Sequence, residues 1–555
     1  MLVVLFYAIV AVFMGPAVHL KVDEDLFLSM AKSFHKGQGF MSEGALVNYD
    51  CVLYSMLISV CYYFYKPETI LWSIRLVNVL VSASVVFPVY LIAKKLKLND
   101  QSRWILVAFS VMMPDMIDVL YVMQENLLYP IAIWFFYFVF CDIGELSDGT
   151  SHRGVNRYLV LASIFGMLSY YTKTCALALV IAYVVMQVIL LGISKKSLTR
   201  LSVIVAIDAL MFGFLKFGVS AINGFRPAAN HYASQITWVL PITWKTFLAA
   251  GIGVVVYLVF YFLCTGIIPV LVPVCGIREL HEIDRKRVLF TYLSIILMIF
   301  EIVGTIFLTE EHGHFVPHKF LYRYMFFFAV PLVGYMLKAW EMKRQNDSTE
   351  NGYVVAPQGI IGSVITVAIG SLVYYFFMTG QTTTSIMDSH LNLLIENLGR
   401  VLGSLFIPCL VMAGVAVIGI TCVITLKQNL PANLDRCKLF LKTAGVILTG
   451  FLLINVFQHP YYSNVICKGD DYRDEFIAIA NKLSKDDFTV CVYTEERDYL
   501  SEVYGYLWQD YYWTNDADEA IEAGAIVTKA GEYQNITGFS CIKSGDNMDL
   551  WMRNA

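Results

Sequence analysis

The sequence predicts a polytopic α-helical membrane protein that ends in a small α/β domain outside the bilayer. Three observations carry that expectation. Of the 555 residues, 58% are hydrophobic and 15% charged, against roughly 25% charged in an ordinary soluble domain. Apolar runs of the length a membrane-crossing helix needs, about 20 residues, recur from the first residue to Phe457. Between them, loops rich in Lys and Arg alternate with loops that are acidic or aromatic. The net charge of −4 carries no electrostatic footprint for nucleic acid.

The length rule gives about thirteen spans, near 1–18, 70–93, 103–121, 125–142, 157–173, 175–193, 201–219, 246–270, 288–308, 321–340, 359–379, 400–426 and 438–457. The first run has no basic flank and no small-residue cleavage site, so it reads as a retained span and not a cleaved signal. The loops "KKLKLNDQSR", "SKKSLTR", "RELHEIDRKR", "KAWEMKR" and "KQNLPANLDRCK" all fall on one side of this map, which the positive-inside rule makes the cytoplasm. The N-terminus is then cytoplasmic, and the expected location is the plasma membrane. The other side receives residues 23–50, 220–245, "TEEHGHFVPHK", 380–399 and everything after Phe457. "NYDCVLYSMLISVCYYFYKPE" is Tyr-rich and short, which fits a helix lying in the interface. The halves of the membrane region show no repeat, which weighs against a repeat-built transporter.

The expected division is a membrane domain, 1–457, and an extracytoplasmic α/β domain, 458–555. In the tail, "DEFIAIANKL" and "DYLSEVYGYLWQ" read as helices, "DFTVCVYT" and "AIVTK" as strands, and "GFSCIKSGDNMDLWMRN" as a hairpin. The twelve cysteines are scattered without a CxxC pair, so neither a disulfide framework nor a structural metal is indicated. A bridge between two of Cys467, Cys491 and Cys541 is an option that the pattern does not require. Asn535-Ile-Thr is a glycosylation triplet by pattern.

Asp23, Glu24 and Asp25 stand side by side just beyond the first span, where each raises the others' cost of ionisation. On the same expected face come Asp50, Arg75, Asp115, Asp118, Glu125 and Lys173, then Glu310, Glu311, His312, His314, His318, Lys319 and Arg323. Ionisable groups at a membrane edge are functional candidates, although Arg75 and Lys173 also fit interfacial cations that snorkel. A carboxylate can take a proton from an acceptor hydroxyl, while Lys and Arg can hold a phosphate leaving group. That combination suits sugar transfer from a polyprenyl phosphate to an extracytoplasmic acceptor. Asp50, His312 and His314 are candidate ligands for a divalent metal ion.

The acidic loop with "FLSMAKSFHKGQGF", the segment "NYDCVLYSML", then "SIRLVNVLVSASVVFPVYLIAKKL", "QENLLYP", "YYTKTCALAL" and "YRYMFFFAVPL" together resemble the GT-C superfamily of membrane glycosyltransferases. The relatives in view are the aminoarabinose transferases of lipid A and the protein O-mannosyltransferases. The resemblance implies a polyprenyl-phosphate sugar donor, an acceptor in the cell envelope, contact with membrane lipids, and an inverting reaction. It gives Asp23 the part of catalytic carboxylate, followed by Glu24, and sets Asp50 and Glu125 at acidic positions of the relatives' site. Arg323-Tyr324 matches an Arg-Tyr pair beside the carrier phosphate. Leu26 and Cys51 depart from the pattern, standing where the aminoarabinose transferases have Arg and Lys against the phosphate. Arg75, Lys173, Lys319 or Arg323 is then expected to supply the positive charge. The rival readings are a transporter or flippase for a lipid-linked saccharide, which calls for ionisable groups at mid-bilayer, and a non-catalytic membrane scaffold.

Overall fold

A computed structural model of the chain describes residues 7, 22–42, 45–147, 155–226, 229–230, 244–265, 269–270, 273, 280–309, 321–346, 482–483, 488–494, 508–544 and 548–554. The spans expected at 1–18, 359–379, 400–426 and 438–457, most of the two helices expected in the tail, and Cys467 lie outside these residues.

Among the described residues, five helical stretches are long and apolar enough to cross a membrane: Pro67–Lys95, Glu125–Ser147, Thr174–Leu191, Lys195–Ile222 and Glu282–Gly304. The first is two helices, α3 (Pro67–Ala83) and α4 (Val86–Lys95), end to end. Pro88 has no amide to give the carbonyl one turn back, which breaks the ladder where the two meet. Helix α6 (Glu125–Ser147) absorbs Pro130 inside the helix. The carbonyl that Pro130 leaves without a donor, that of Asn126, receives the Ser82 hydroxyl of α3 at 3.0 Å. Helices α7 (Arg157–Thr172), α8 (Leu177–Leu191) and α9 (Lys195–Ile222) follow as antiparallel neighbours, and Asn156 and Ser194 cap the first and last through their side chains. Helices α10 (Trp244–Thr265), α11 (Glu282–Thr309) and α12 (Ala329–Asn346) complete the described bundle.

Two expectations are corrected. The span at 103–121 is the shorter helix α5 (Asp100–Met112), followed by a 3-10 helix at Pro114–Leu120. Pro114 disfavours helical backbone at Met113, so the α-helix stops before it. The span at 321–340 opens with two 3-10 turns, Tyr322–Tyr324 and Phe326–Phe328, and its α-helix begins only at Ala329. The Tyr-rich segment expected in the interface is helix α2 (Leu53–Ile58) with a 3-10 turn at Ser59–Tyr63, too short to cross a bilayer.

Helix α1 (Val22–His35) carries the acidic run in its first turn. Strands β1 (Met41–Ser42), β2 (Ala45–Asn48) and β3 (Ala229–Asn230) form a small sheet after it. Gly39 lets the chain pass close to the end of α9, since a Cβ there would meet Asn223 Oδ1 at 2.8 Å. In the tail, β4 (Thr489–Tyr493), β5 (Asp510–Thr514), β6 (Ala525–Lys529), β7 (Phe539–Ser544) and β8 (Met548–Arg553) form one sheet in the order β5-β4-β6-β8-β7. Helix α13 (Ala517–Ala520) joins β5 to β6. The buried runs in β4 and β6 are those of parallel strands covered on both faces, and β7 and β8 are the expected hairpin. Cys491 and Cys541 are both thiols.

The two ends of the bundle differ. At the C-terminal end of α6, Asp142 accepts from Arg200 Nη2 at 2.6 and 2.5 Å, Tyr183 Oη at 2.8 Å and Asn156 Nδ2 at 2.8 Å. Both partners of the ion pair are fully buried. Arg287 donates to the Phe140 carbonyl and pairs with Asp284 at this same end. Glu125, at the other end of α6, is 17 residues from Asp142 and so about 25 Å away along the helix. Among the described residues, the basic segments that carry Arg200 and Arg287 thus gather at the end opposite Glu125. Replacing Arg200 with Met leaves a buried aspartate without its counter-charge, and is expected to destabilise the protein by about 3–5 kcal/mol. Thermal unfolding in detergent reads this directly, and an unchanged midpoint would contradict it.

Candidate active site at one end of the bundle

One short segment organises the site: Leu120 to Glu125, where the 3-10 helix after α5 turns into α6. Its backbone is held from several sides. Arg75 Nε donates to the Leu120 carbonyl at 3.2 Å, and Asn78 Nδ2 donates to the Tyr121 carbonyl at 2.8 Å. The Val122 amide donates to Glu24 Oε1 at 2.7 Å. Gln124 Nε2 donates to the carbonyl of Cys51 at 3.0 Å, which sets the segment beside Asp50. Arg323 Nη1 lies 3.8 Å from the Met123 sulfur. Glu24, Cys51, Arg75 and Arg323 come from distant parts of the chain and meet on six consecutive residues.

Glu125 begins α6 and is 1% exposed. A carboxylate is favoured at a helix N-terminus, and here two cations add to that. Lys173 Nζ donates to Glu125 Oε1 at 2.9 Å, and Arg323 Nε stands 3.4 Å from the same oxygen. Tyr324 completes the group, with Lys173 Nζ 3.6 Å and Arg323 Cζ 5.2 Å from its ring centre. The other oxygen, Oε2, is buried without a hydrogen-bond partner among the described residues. Lys173 and Arg75 are both buried and so are not snorkelling cations.

Asp50 lies at the edge of this group. Its carboxylate is paired with Lys216 of α9, and the Tyr170 hydroxyl stands 3.5 Å from Oδ2. Asp50 is thus already paired with an ammonium among the described residues. Among them no group of three or more His, Cys, Asp and Glu comes together. His312, His314, His318, Glu310, Glu311 and Lys319 lie outside the described residues, as do the side chains of Asp23 and Asp118. Asp115 is buried in the 3-10 helix.

The third carboxylate of the acidic run is taken up by the tail. Asp25 accepts the Tyr511 hydroxyl, 2.5 Å from each of its oxygens. Ser29 Oγ is 3.0 Å from that hydroxyl, and Lys32 Nζ donates to the Gln509 carbonyl at 2.6 Å. Burial, and then the Asp25 carboxylate, push the Tyr511 phenol well above its ordinary value, which keeps it a donor. Burial also works against the charge on Asp510, but Lys32, Gln38 and Lys36 outweigh it and hold that carboxyl below its usual value.

Burial lowers the Lys32 ammonium from 10.5 to about 8, against the pull of Asp510 and Asp25 and with a push from Lys36. The folded value is then below the unfolded one, so between about pH 8 and 10.5 the folded state binds fewer protons and its stability rises with pH. The rise is at most about 1.4 kcal/mol per pH unit. Measured against Lys32→Met, which has no such proton to lose, wild-type protein should gain in unfolding midpoint from pH 7 to about pH 10. A pH-independent gap would contradict the assignment.

Sequence reasoning missed Tyr511, Lys32, Asn78, Gln124 and Lys216. Asn78 with Ser82, four residues apart in an apolar run, is a signal that could have found one of them. Asp208, midway along α9 and half-buried, lies apart from the site, and its Oδ1 has no hydrogen-bond partner among the described residues.

No profile of a known family and no curated protein matches the chain. Among solved structures it is similar to ArnT from Cupriavidus metallidurans bound to undecaprenyl phosphate, at 14% identity and a TM-score of 0.48, over 100% of this chain and 98% of that one. It is also similar to the oligosaccharyltransferase of Archaeoglobus fulgidus in two structures. One is tethered with an acceptor peptide, at 11% identity and a TM-score of 0.33 over 95% of this chain and 68% of that one. The other is a complex with zinc and sulfate, at 13% identity, the same TM-score and the same coverage.

Proposed function

We propose that the protein is a GT-C type glycosyltransferase that moves a sugar from a polyprenyl-phosphate donor to an acceptor hydroxyl on the extracytoplasmic face. The observation that carries the reading is the gathering of Glu24, Glu125, Lys173, Arg323 and Tyr324 around residues 120–125, with Asp50 one residue from the Cys51 carbonyl that Gln124 holds. These groups lie at the end of α6 away from Asp142, Arg200 and Arg287, and in this reading the donor's headgroup docks there with its tail between helices.

In the proposed reaction Asp23 takes the proton of the acceptor hydroxyl, and the acceptor oxygen forms a bond to the anomeric carbon. The bond from that carbon to the phosphate oxygen breaks, and its electron pair leaves with the polyprenyl phosphate. Lys173 and Arg323 stabilise the charge that develops on the phosphate. Attack opposite the leaving group inverts the configuration, and no sugar becomes attached to the protein. Glu125 holds the two cations in place before the donor arrives. Glu24 and Arg75 fix segment 120–125 through the Val122 amide and the Leu120 carbonyl, and Asp50 borders the acceptor side in this reading. Residues 1–457 form the catalytic membrane domain in this reading, and 458–555 an extracytoplasmic domain.

Purified protein in detergent, given a radiolabelled polyprenyl-phosphate sugar and a membrane extract as acceptor source, tests the proposal. A transferase consumes the donor without a second compartment. A transporter or a scaffold leaves it intact, and that result would overturn the reading.

A further inference from the structure

Among the described residues, strand β5 ends the tail's sheet in the order β5-β4-β6-β8-β7. Helix α1 packs on the face of the sheet that carries the Tyr511 side chain. Asp25, Ser29, Lys32 and Lys36 recur at the three- and four-residue spacing that puts side chains on one face of a helix, and all four reach Gln509, Asp510 or Tyr511. Gln38 adds a contact from Nε2 to Asp510 Oδ2 at 3.2 Å. Asp25, Ser29 and Lys32 are buried, together with Tyr511 and Gln509. The apolar residues of α1 share one hydrophobic cluster with Val490, Val492, Val527 and Leu550 of the sheet. The same helix, through Glu24, grips the Val122 amide three residues before Glu125. Helix α1 is therefore clamped between the sheet and the segment that carries the site.

We infer that strand β5 is a positioning element for the site, acting where the Tyr511 hydroxyl bonds Asp25 and so fixes the first turn of α1. Tyr511 touches no reacting group. It sets the helix on which the proposed base Asp23 and the segment-holding Glu24 are carried. The catalytic half of this inference rests on the transferase reading. The structural half does not.

Tyr511→Phe removes the hydroxyl and keeps the ring. In the full-length protein, hydrogen exchange of the α1 amides should quicken about tenfold. Donor consumption should fall about tenfold in kcat, with KM for the donor unchanged. Asp25→Ala, which removes the acceptor, should reproduce both effects, and the double variant should add nothing further. Tyr512→Phe serves as the control, because that hydroxyl bonds Glu519 within the tail; it should leave both readouts at wild-type values. Unchanged exchange in α1, faster exchange with unchanged kcat, or an equal effect from Tyr512→Phe would each overturn the inference. If wild-type protein consumes no donor, the transferase reading has failed, and exchange alone decides whether β5 holds α1.

Discussion

Asparagine in place of Asp23 is expected to slow sugar transfer by about 10²–10⁴-fold, the contribution of a general base, at normal expression. The two carboxylates beside it are already engaged. Glu24 already accepts the Val122 amide at 2.7 Å, and Asp25 already accepts the Tyr511 hydroxyl at 2.5 Å. A carboxylate whose charge already receives a fixed, buried donor is a weaker base, because the hydrogen bond favours its ionised form. Asp23 is the second residue of α1, next to both. Asparagine keeps its size and hydrogen-bonding capacity but cannot accept the proton. Single-turnover rates with labelled donor measure the effect, and a variant with full activity would remove Asp23 from the mechanism.

Lys173→Met has the second large effect. Lys173 is the nearer of the two cations on Glu125, and its ammonium also lies over the ring of Tyr324. Removing it leaves a fully buried carboxylate facing Arg323 with weakened pairing, at a cost of about 3–5 kcal/mol in stability. It also takes away half the positive charge offered to the leaving phosphate, worth about 10²–10³-fold in kcat for one well-aimed donor. Arg200→Met at the opposite end of the bundle breaks a pair that is buried still deeper. It should destabilise the protein to a similar degree and leave the kinetics of the surviving protein unaltered. Comparing the two variants separates loss of fold from loss of site. If both changed kcat alike, Lys173 would have no special place in the reaction.

Much of the bundle was legible because long apolar runs allow little else in a bilayer. Glu125, Lys173 and Arg323 stood out because a charge beside an apolar run needs a partner. That they are partners of one another was not legible, since they meet from 48 to nearly 200 residues apart. The early end of α5 was legible and overlooked, because Pro114 announces it. The contact of Tyr511 with Asp25 spans 486 residues, and nothing local in "DYYWT" marks it. The polar stripe on α1 did hold a clue: Asp25, Ser29, Lys32 and Lys36 make a face too regular for a solvated loop. Uncharged residues such as Gln124 and Asn78 carry no electrostatic signal, and their parts in holding residues 120–125 emerge only once the backbone is placed.

The most direct measurement is release of phosphate-linked lipid from a radiolabelled polyprenyl-phosphate sugar by purified wild-type, Lys173→Met and Arg200→Met proteins assayed side by side. Wild type and Arg200→Met should turn the donor over at the same rate per folded molecule, with Lys173→Met at least a hundredfold slower. Equal turnover by Lys173→Met, or none by wild type, would contradict a phosphate site at the Glu125 end of the bundle.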